Sequence, residues 1–174
     1  MTAEPVWRKV WHLGDDIDTD ALAPGGYMQL GVEGIARHCL ETVEPRFAAE
    51  VRAGDLIVAG RNFGIGSSRE QAAAALVHLG IHAVVAPSYG GLFFRNAFNL
   101  GLVLLTCPND DSQIQLLRKQ QRLAVSDIDL TLELVSGERI ACAPIPDFLL
   151  AMARAGGLMA SLKRTQQPTR HILP

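Results

Sequence analysis

The chain is short of cysteine. It has three in 174 residues, Cys39, Cys107 and Cys142, odd in number and widely spaced. No CxxC pair occurs, so neither a disulfide framework nor a thiolate metal site is signalled. Each thiol reads as a small buried apolar residue. The five histidines, His12, His38, His78, His82 and His171, show no HExxH or paired spacing, so a metal used in catalysis would be held by something else. Long apolar runs are missing as well. "LIVAG" and "GLVLL" are far too short to cross a bilayer. The opening "MTAEPVWRKVW" lacks the apolar stretch of a secretory signal, and the cytoplasm is the expected compartment. Nor is there an excess of either charge: 16 basic residues stand against 18 acidic ones, net −2. Without a basic face, nucleic acid is not an expected partner.

What is present is apolar residue in quantity, 48% of the chain, enough for one domain spanning residues 1–174 with a proper core. "VWRKVWHL" (6–13) reads as a first strand, and "GDDIDTDALAPGGYMQLG" (14–31), rich in Asp, Gly and Pro, as a long loop. A short helix is expected at 32–41, strands at 55–60, 81–87 and 102–105, and helices at 70–80 and 88–101. "DSQIQLLRKQQR" (111–122) reads as an amphipathic helix with an Asp/Ser cap. Residues 129–142 alternate around Ser136-Gly137 as a hairpin would, and 145–164 are helical with a break at Gly156-Gly157. The tail from 165 reads as extended and mobile. A strand–helix–strand–helix–strand centre with an antiparallel periphery predicts an α/β fold, a three-layer β/β/α sandwich.

The stretch "GRNFGIGSSRE" (60–70) carries the chemistry. Gly64 and Gly66 permit φ > 0 at a strand-to-helix turn. Ser67 and Glu70 have the spacing of a capping box. The first-turn N–H groups of the following helix favour an anion. Arg69 works against the dipole there, which points to a purpose beyond helix stability: a guanidinium grips a carboxylate in two parallel hydrogen bonds. Glycine-rich turns of purely structural purpose are common, but glycines, serines and arginine together point to anion recognition. No GxxxxGK[ST] or complete dinucleotide fingerprint supports a nucleotide.

"GDDIDTDALAPGGYM", "DLIVAGRNFGIGSSREQAAAAL" and "SYGGLFFRNAFNLGL" resemble, in order, the small-subunit family of 3-isopropylmalate dehydratase, itself similar to the swivelling C-terminal domain of aconitase. The resemblance covers most of residues 14–105; the rest matches in length and general pattern only. It implies a hydro-lyase subunit that needs a large subunit carrying a [4Fe–4S] cluster, the open iron acting as Lewis acid on a 2-hydroxy diacid. It implies Ser67 as catalytic base, acting as an alkoxide, and Gly66, Ser68 and Arg69 as binders of the substrate carboxylate. It places Asp18, Thr19 and Asp20 at the mouth of the site.

Asp16, Asp18 and Asp20 alternate, which allows Asx-turn and capping work or, less in keeping with the spacing, a calcium loop. "PGGYMQL" is similar to the family's specificity loop, with Tyr27, Met28, Gln29 and Leu30 as its candidate residues. Relatives often carry a basic residue before the tyrosine, and homoaconitase-type relatives an arginine after it; neither is here. A third carboxylate would find no cation, whereas Met28 and Leu30 could pack on an alkyl group or else face the core. Isopropylmalate is therefore favoured, with dimethylmalate, methylmalate or citraconate, and homoaconitate as alternatives. Gly90-Gly91 stands where relatives commonly have Ala-Arg, and Arg95 either orients the neighbouring loop or is a solvated helix charge. A module that binds anions but has lost the reaction is the alternative from a different class.

Overall fold

The computed structural model describes residues 4–126 and 129–165. Four short strands, β1 (Trp7–His12), β2 (Leu56–Val58), β3 (Ala83–Ala86) and β4 (Val103–Thr106), pair in parallel. Across the other edge of β1 the sheet continues antiparallel through β5 (Arg122–Val125), β6 (Thr131–Leu134) and β7 (Arg139–Ala141), giving the order β4-β3-β2-β1-β5-β6-β7.

Side-chain alternation explains the layers. Leu56, Val58, Val85 and Leu105 on one face of the parallel half share a core with Leu123, Leu132, Leu134 and Ile140 of the antiparallel half. The seven-stranded sheet thus curls over on itself. Ile57, Val84, Ala86 and Leu104 on the other face lie under the helices. With both faces covered, β2 and β3 are apolar at every position, as parallel strands should be. The β/β/α arrangement expected from the sequence is present.

The helical layer includes α1 (Thr19–Leu22), α2 (Gly31–Ala36), α3 (Phe47–Glu50), α4 (Glu70–His78) and α5 (Gly91–Asn99). Helix α4 buries Ala72, Ala73, Ala75 and Leu76, small side chains that let it lie against α2 and α5. It ends in a Schellman turn at Gly80, whose N–H bonds the Val77 carbonyl while that of Ile81 bonds Leu76. After β4, α6 (Asp111–Arg118) opens with Asp110 accepting from the amides of Ser112 and Gln113. The hairpin turns at Ser136-Gly137 between β6 and β7, and α7 (Asp147–Arg154) and α8 (Leu158–Thr165) are separated at Gly156-Gly157. No helix among the described residues is long and apolar enough to cross a membrane.

Two expectations are corrected. Residues 14–31 are not all loop: they hold α1, a 3-10 helix over Gly25–Leu30 and the first residue of α2. The helix expected to reach 122 stops at Arg118, and Arg122–Val125 is β5, paired with β1 through Trp7↔Ala124 and Arg8↔Leu123. Partnering across the sheet, which local pattern does not report, decides that segment. The tail beyond residue 165 lies outside the described residues.

Candidate active site

Beyond the carboxyl ends of β1, β2 and β3, three segments keep bonding sideways after the strands have ended. The Gly60 N–H bonds the Gly14 carbonyl at 3.0 Å, Asp16 N–H that of Arg61 at 2.8 Å, Gly64 N–H that of Ile17 at 2.6 Å and Thr19 N–H that of Ile65 at 2.8 Å. On the other side Phe63 N–H bonds Ser88 and Gly90 N–H bonds Phe63. The Asp-rich loop, the glycine–serine turn and the "SYGG" segment are thereby laced into one platform. It sits outside the carboxyl ends of parallel strands, where open α/β sheets bind ligands. Gly64 has φ +76°, and a Cβ on it would lie 2.2 Å from the buried Phe93 ring; Gly66 has φ +109° and lets the turn close on Thr19.

The lacing decides what Ser67 does. Its side chain is not a helix cap: the N-cap of α4 is Arg69, no side chain caps the helix, and the expected capping box is absent. Instead Ser67 N–H donates to Thr19 Oγ1 at 3.0 Å, and the two hydroxyl oxygens lie 3.1 Å apart, where either can donate to the other. Thr19 is 1% exposed, whereas Ser67 and Ser68 face solvent. A buried hydroxyl therefore holds an exposed one at the head of α4, whose first-turn amides lack intrahelical partners. The Ser68 carbonyl accepts from Asn96 Nδ2 at 3.1 Å, which ties the turn to α5.

Arg69 is half-buried, and its Nη1 donates to Asp20 Oδ1 and, at 3.2 Å, to the Ala23 carbonyl. Among the described residues Nε and Nη2 have no hydrogen-bond partner. The three aspartates go separate ways. Asp16 accepts from Asn62 Nδ2, Asp18 caps α1 by accepting from Ala21 N–H at 2.7 Å, and Asp20 meets Arg69. Each is occupied singly, which suits capping and ion-pair work and not a calcium loop.

The 3-10 turn starts beside Arg69: a Cβ on Gly25 would lie 3.9 Å from its Nη2. Tyr27 and Met28 are half-buried and pack on the helical core, while Gln29 and Leu30 are exposed, Leu30 at 56%. The pair weighed together in the sequence thus divides, Met28 inward and Leu30 outward. A Cβ on Gly90 would lie 2.4 Å from the Gly64 carbonyl oxygen, so a side chain there would disturb the platform, but one on Gly91 would meet nothing within 4 Å. Arg95 is exposed on α5. Asn96 and the hydroxyl pairing of Thr19 were not legible from spacing, because their partners lie far off in sequence.

No group of three or more His, Cys, Asp or Glu among the described residues is placed to hold a metal ion. Burial pushes the Cys39 thiol well above its ordinary value, Cys107 to about 11 and Cys142 to about 12, as for thiols packed in apolar surroundings. The described residues, whose three cysteines join no such group, do not fit an iron–sulfur cluster.

Comparison with known proteins gives the family. Residues 40–110 match the aconitase C-terminal domain. The 3-isopropylmalate dehydratase small subunit 1 of Methanopyrus kandleri is 43% identical over 158 residues, covering 90% of this chain and 91% of that protein. The chain belongs to the 3-isopropylmalate dehydratase small-subunit family. The family is not uniform in its names: the methanogen homoaconitase small subunit of Methanothermobacter thermautotrophicus is 39% identical over 163 residues, 90% of each chain. The crystal structure of 3-isopropylmalate dehydratase from Methanocaldococcus jannaschii superposes with a TM-score of 0.81 at 33% identity, covering 94% of this chain and 96% of that one.

Proposed function

We propose that the chain is the small subunit of a heteromeric hydro-lyase that isomerises a 2-hydroxy diacid by dehydration and rehydration, converting 2-isopropylmalate to 3-isopropylmalate in leucine biosynthesis. The observation that carries this reading is the exposed Ser67 hydroxyl held by buried Thr19 at the head of α4, two residues before Arg69. The partner is a large subunit with a [4Fe–4S] cluster, which supplies Lewis-acid chemistry at the substrate hydroxyl. A place in amino-acid metabolism fits the cytoplasm as compartment.

The residues of this chain supply proton transfer and grip. Ser67 Oγ takes the proton from the carbon next to the hydroxyl-bearing one and later returns it. A serine hydroxyl is a very weak acid, so its deprotonated form needs donors already in place. Thr19 is one: its oxygen accepts the Ser67 N–H, and once Ser67 has lost its proton the Thr19 hydroxyl is the member of the pair left to donate to Ser67 Oγ. The first-turn amides of α4 add the helix-end field. Arg69 offers Nε and Nη2 to a substrate carboxylate, while Asp20 and the Ala23 carbonyl fix its Nη1. Gly66 and Ser68 shape the same cradle, and Asp18 sets the start of α1 on which Thr19 and Asp20 stand.

The alkyl substrate is favoured over homoaconitate by the 3-10 turn. It exposes Gln29 and Leu30 and carries no cation, so a third carboxylate would be desolvated without a partner. The test is turnover of the assembled two-subunit enzyme on isopropylmalate, dimethylmalate, methylmalate and homocitrate, with wild-type and Ser67→Ala small subunits. Isopropylmalate is expected to be the best substrate, and Ser67→Ala is expected to abolish turnover with assembly intact. Near-normal turnover by that variant removes Ser67 as the base.

A further inference from the structure

Behind the 3-10 turn lies a cluster that the proposed chemistry does not use. The Tyr27 ring stacks on the His38 imidazole with centroids 3.5 Å apart and planes 9° from parallel. His38 Nδ1 is 2.7 Å from Glu41 Oε2. All three side chains are half-buried, between the turn and the segment that follows α2. The Glu41 charge also raises the Tyr27 hydroxyl above its ordinary value, as expected of a carboxylate close by. That following segment is itself fixed. Leu40 is fully buried with φ +61°, and its N–H bonds the Ala21 carbonyl of α1 at 2.8 Å.

The turn is therefore held at two points. Arg69 holds Ala23, just before it, and the His38 ring holds Tyr27 in its middle, four residues later. Gln29 and Leu30 follow the second of these points and face solvent. Freed from the stack, Tyr27 would lose its only ring partner among the described residues and keep only its packing on the helical core, while a 3-10 run as long as six residues has poor hydrogen-bond geometry of its own.

We propose that the Tyr27–His38–Glu41 stack is a positioning device that sets where Gln29 and Leu30 stand relative to Arg69, and so which substituent of a diacid the site accepts. Its catalytic consequence rests on the function proposed above; its mechanical consequence does not. The experiment has two arms. In the isolated chain, hydrogen exchange of the amides of residues 25–31 is compared for wild type, His38→Ala, His38→Phe and Glu41→Gln. His38→Ala is expected to speed exchange at least about fivefold there and not in β2 or β3, and His38→Phe, which keeps a ring to stack on, to restore most of the protection. Unchanged exchange in His38→Ala overturns the clamp. In the assembled enzyme, His38→Ala is expected to raise the KM for isopropylmalate about fivefold, and to cut the preference for isopropylmalate over unsubstituted malate by a similar factor, with kcat within about twofold. Loosened exchange with an unchanged KM and preference overturns the specificity role. A wild-type enzyme that turns over none of these diacids refutes the proposed function, and the exchange arm still decides the clamp.

Discussion

The contact between Thr19 and Ser67 yields the sharpest test of the proposed chemistry, because Thr19→Val removes a hydroxyl and little else. Valine has nearly the volume of threonine, suits the same backbone, and leaves the fully buried pocket filled. The lost interactions are two: acceptance of the Ser67 N–H at 3.0 Å and the hydroxyl pair at 3.1 Å. For stability the loss is small. Ser67 is exposed, so water can take over its N–H, and a neutral hydrogen bond contributes a net ~1 kcal/mol. In a chain of 174 residues that is about 2–4 °C in Tm. For turnover the loss is larger, because in the proposed mechanism the Thr19 hydroxyl donates to a Ser67 oxygen that becomes negatively charged. Removing one preorganised donor from such an oxygen costs about 2.7–4 kcal/mol, roughly a hundred- to thousandfold in kcat.

The assay pairs a melting curve of the isolated chain with steady-state kinetics of the assembled enzyme under saturating substrate. Thr19→Val is expected to fall about a hundredfold or more in kcat, with KM nearly unchanged, since Thr19 is buried beneath the reacting group and does not face the substrate. Thr19→Ser, which restores the hydroxyl, is expected to recover most of the rate. If Thr19→Val turns over within about threefold of wild type, Ser67 does not pass through a charged state stabilised by this hydroxyl. A large fall in Tm would instead make Thr19 a structural residue only.

Two further outcomes follow from the same platform. Arg69→Lys is expected to raise KM on the order of tenfold or more, because an ammonium on Asp20 and the Ala23 carbonyl has no second prong left for the substrate; an unchanged KM and kcat reject the carboxylate role. Gly64→Ala combines φ +76° with a Cβ 2.2 Å from the Phe93 ring, which is expected to cost about 2–3 kcal/mol and lower Tm by roughly 5–10 °C; a variant that melts like wild type shows that the turn can move without penalty.

The sequence announced the parts of this site but not their assembly. The strand–helix–strand–helix–strand centre was legible because β2 and β3 are apolar throughout and α4 is alanine-rich, signals that need no distant partner. β5 was not, since "RLAV" becomes a strand through pairing with β1 more than a hundred residues earlier. The turn at 60–70 shows the same division at finer scale. Gly64 and Gly66 mark positive φ, and both are required, Gly64 by Phe93 and Gly66 by Thr19. The Ser67–Glu70 spacing, however, has two possible outcomes, a local capping box or a tertiary hydrogen bond, and only the fold decides between them. Forty-eight residues separate Ser67 from Thr19, and the bonds that bring them together run between backbones, Gly64 to Ile17 and Thr19 to Ile65, where side-chain identity leaves no trace. Because α4 starts at Glu70, after Ser67, the serine is free of the capping role its spacing suggests: a serine engaged as a helix cap would have its oxygen occupied by an amide, whereas one held from below by a buried threonine presents its oxygen to solvent with the threonine hydroxyl behind it. The late start of the helix is thus what leaves this hydroxyl available for chemistry.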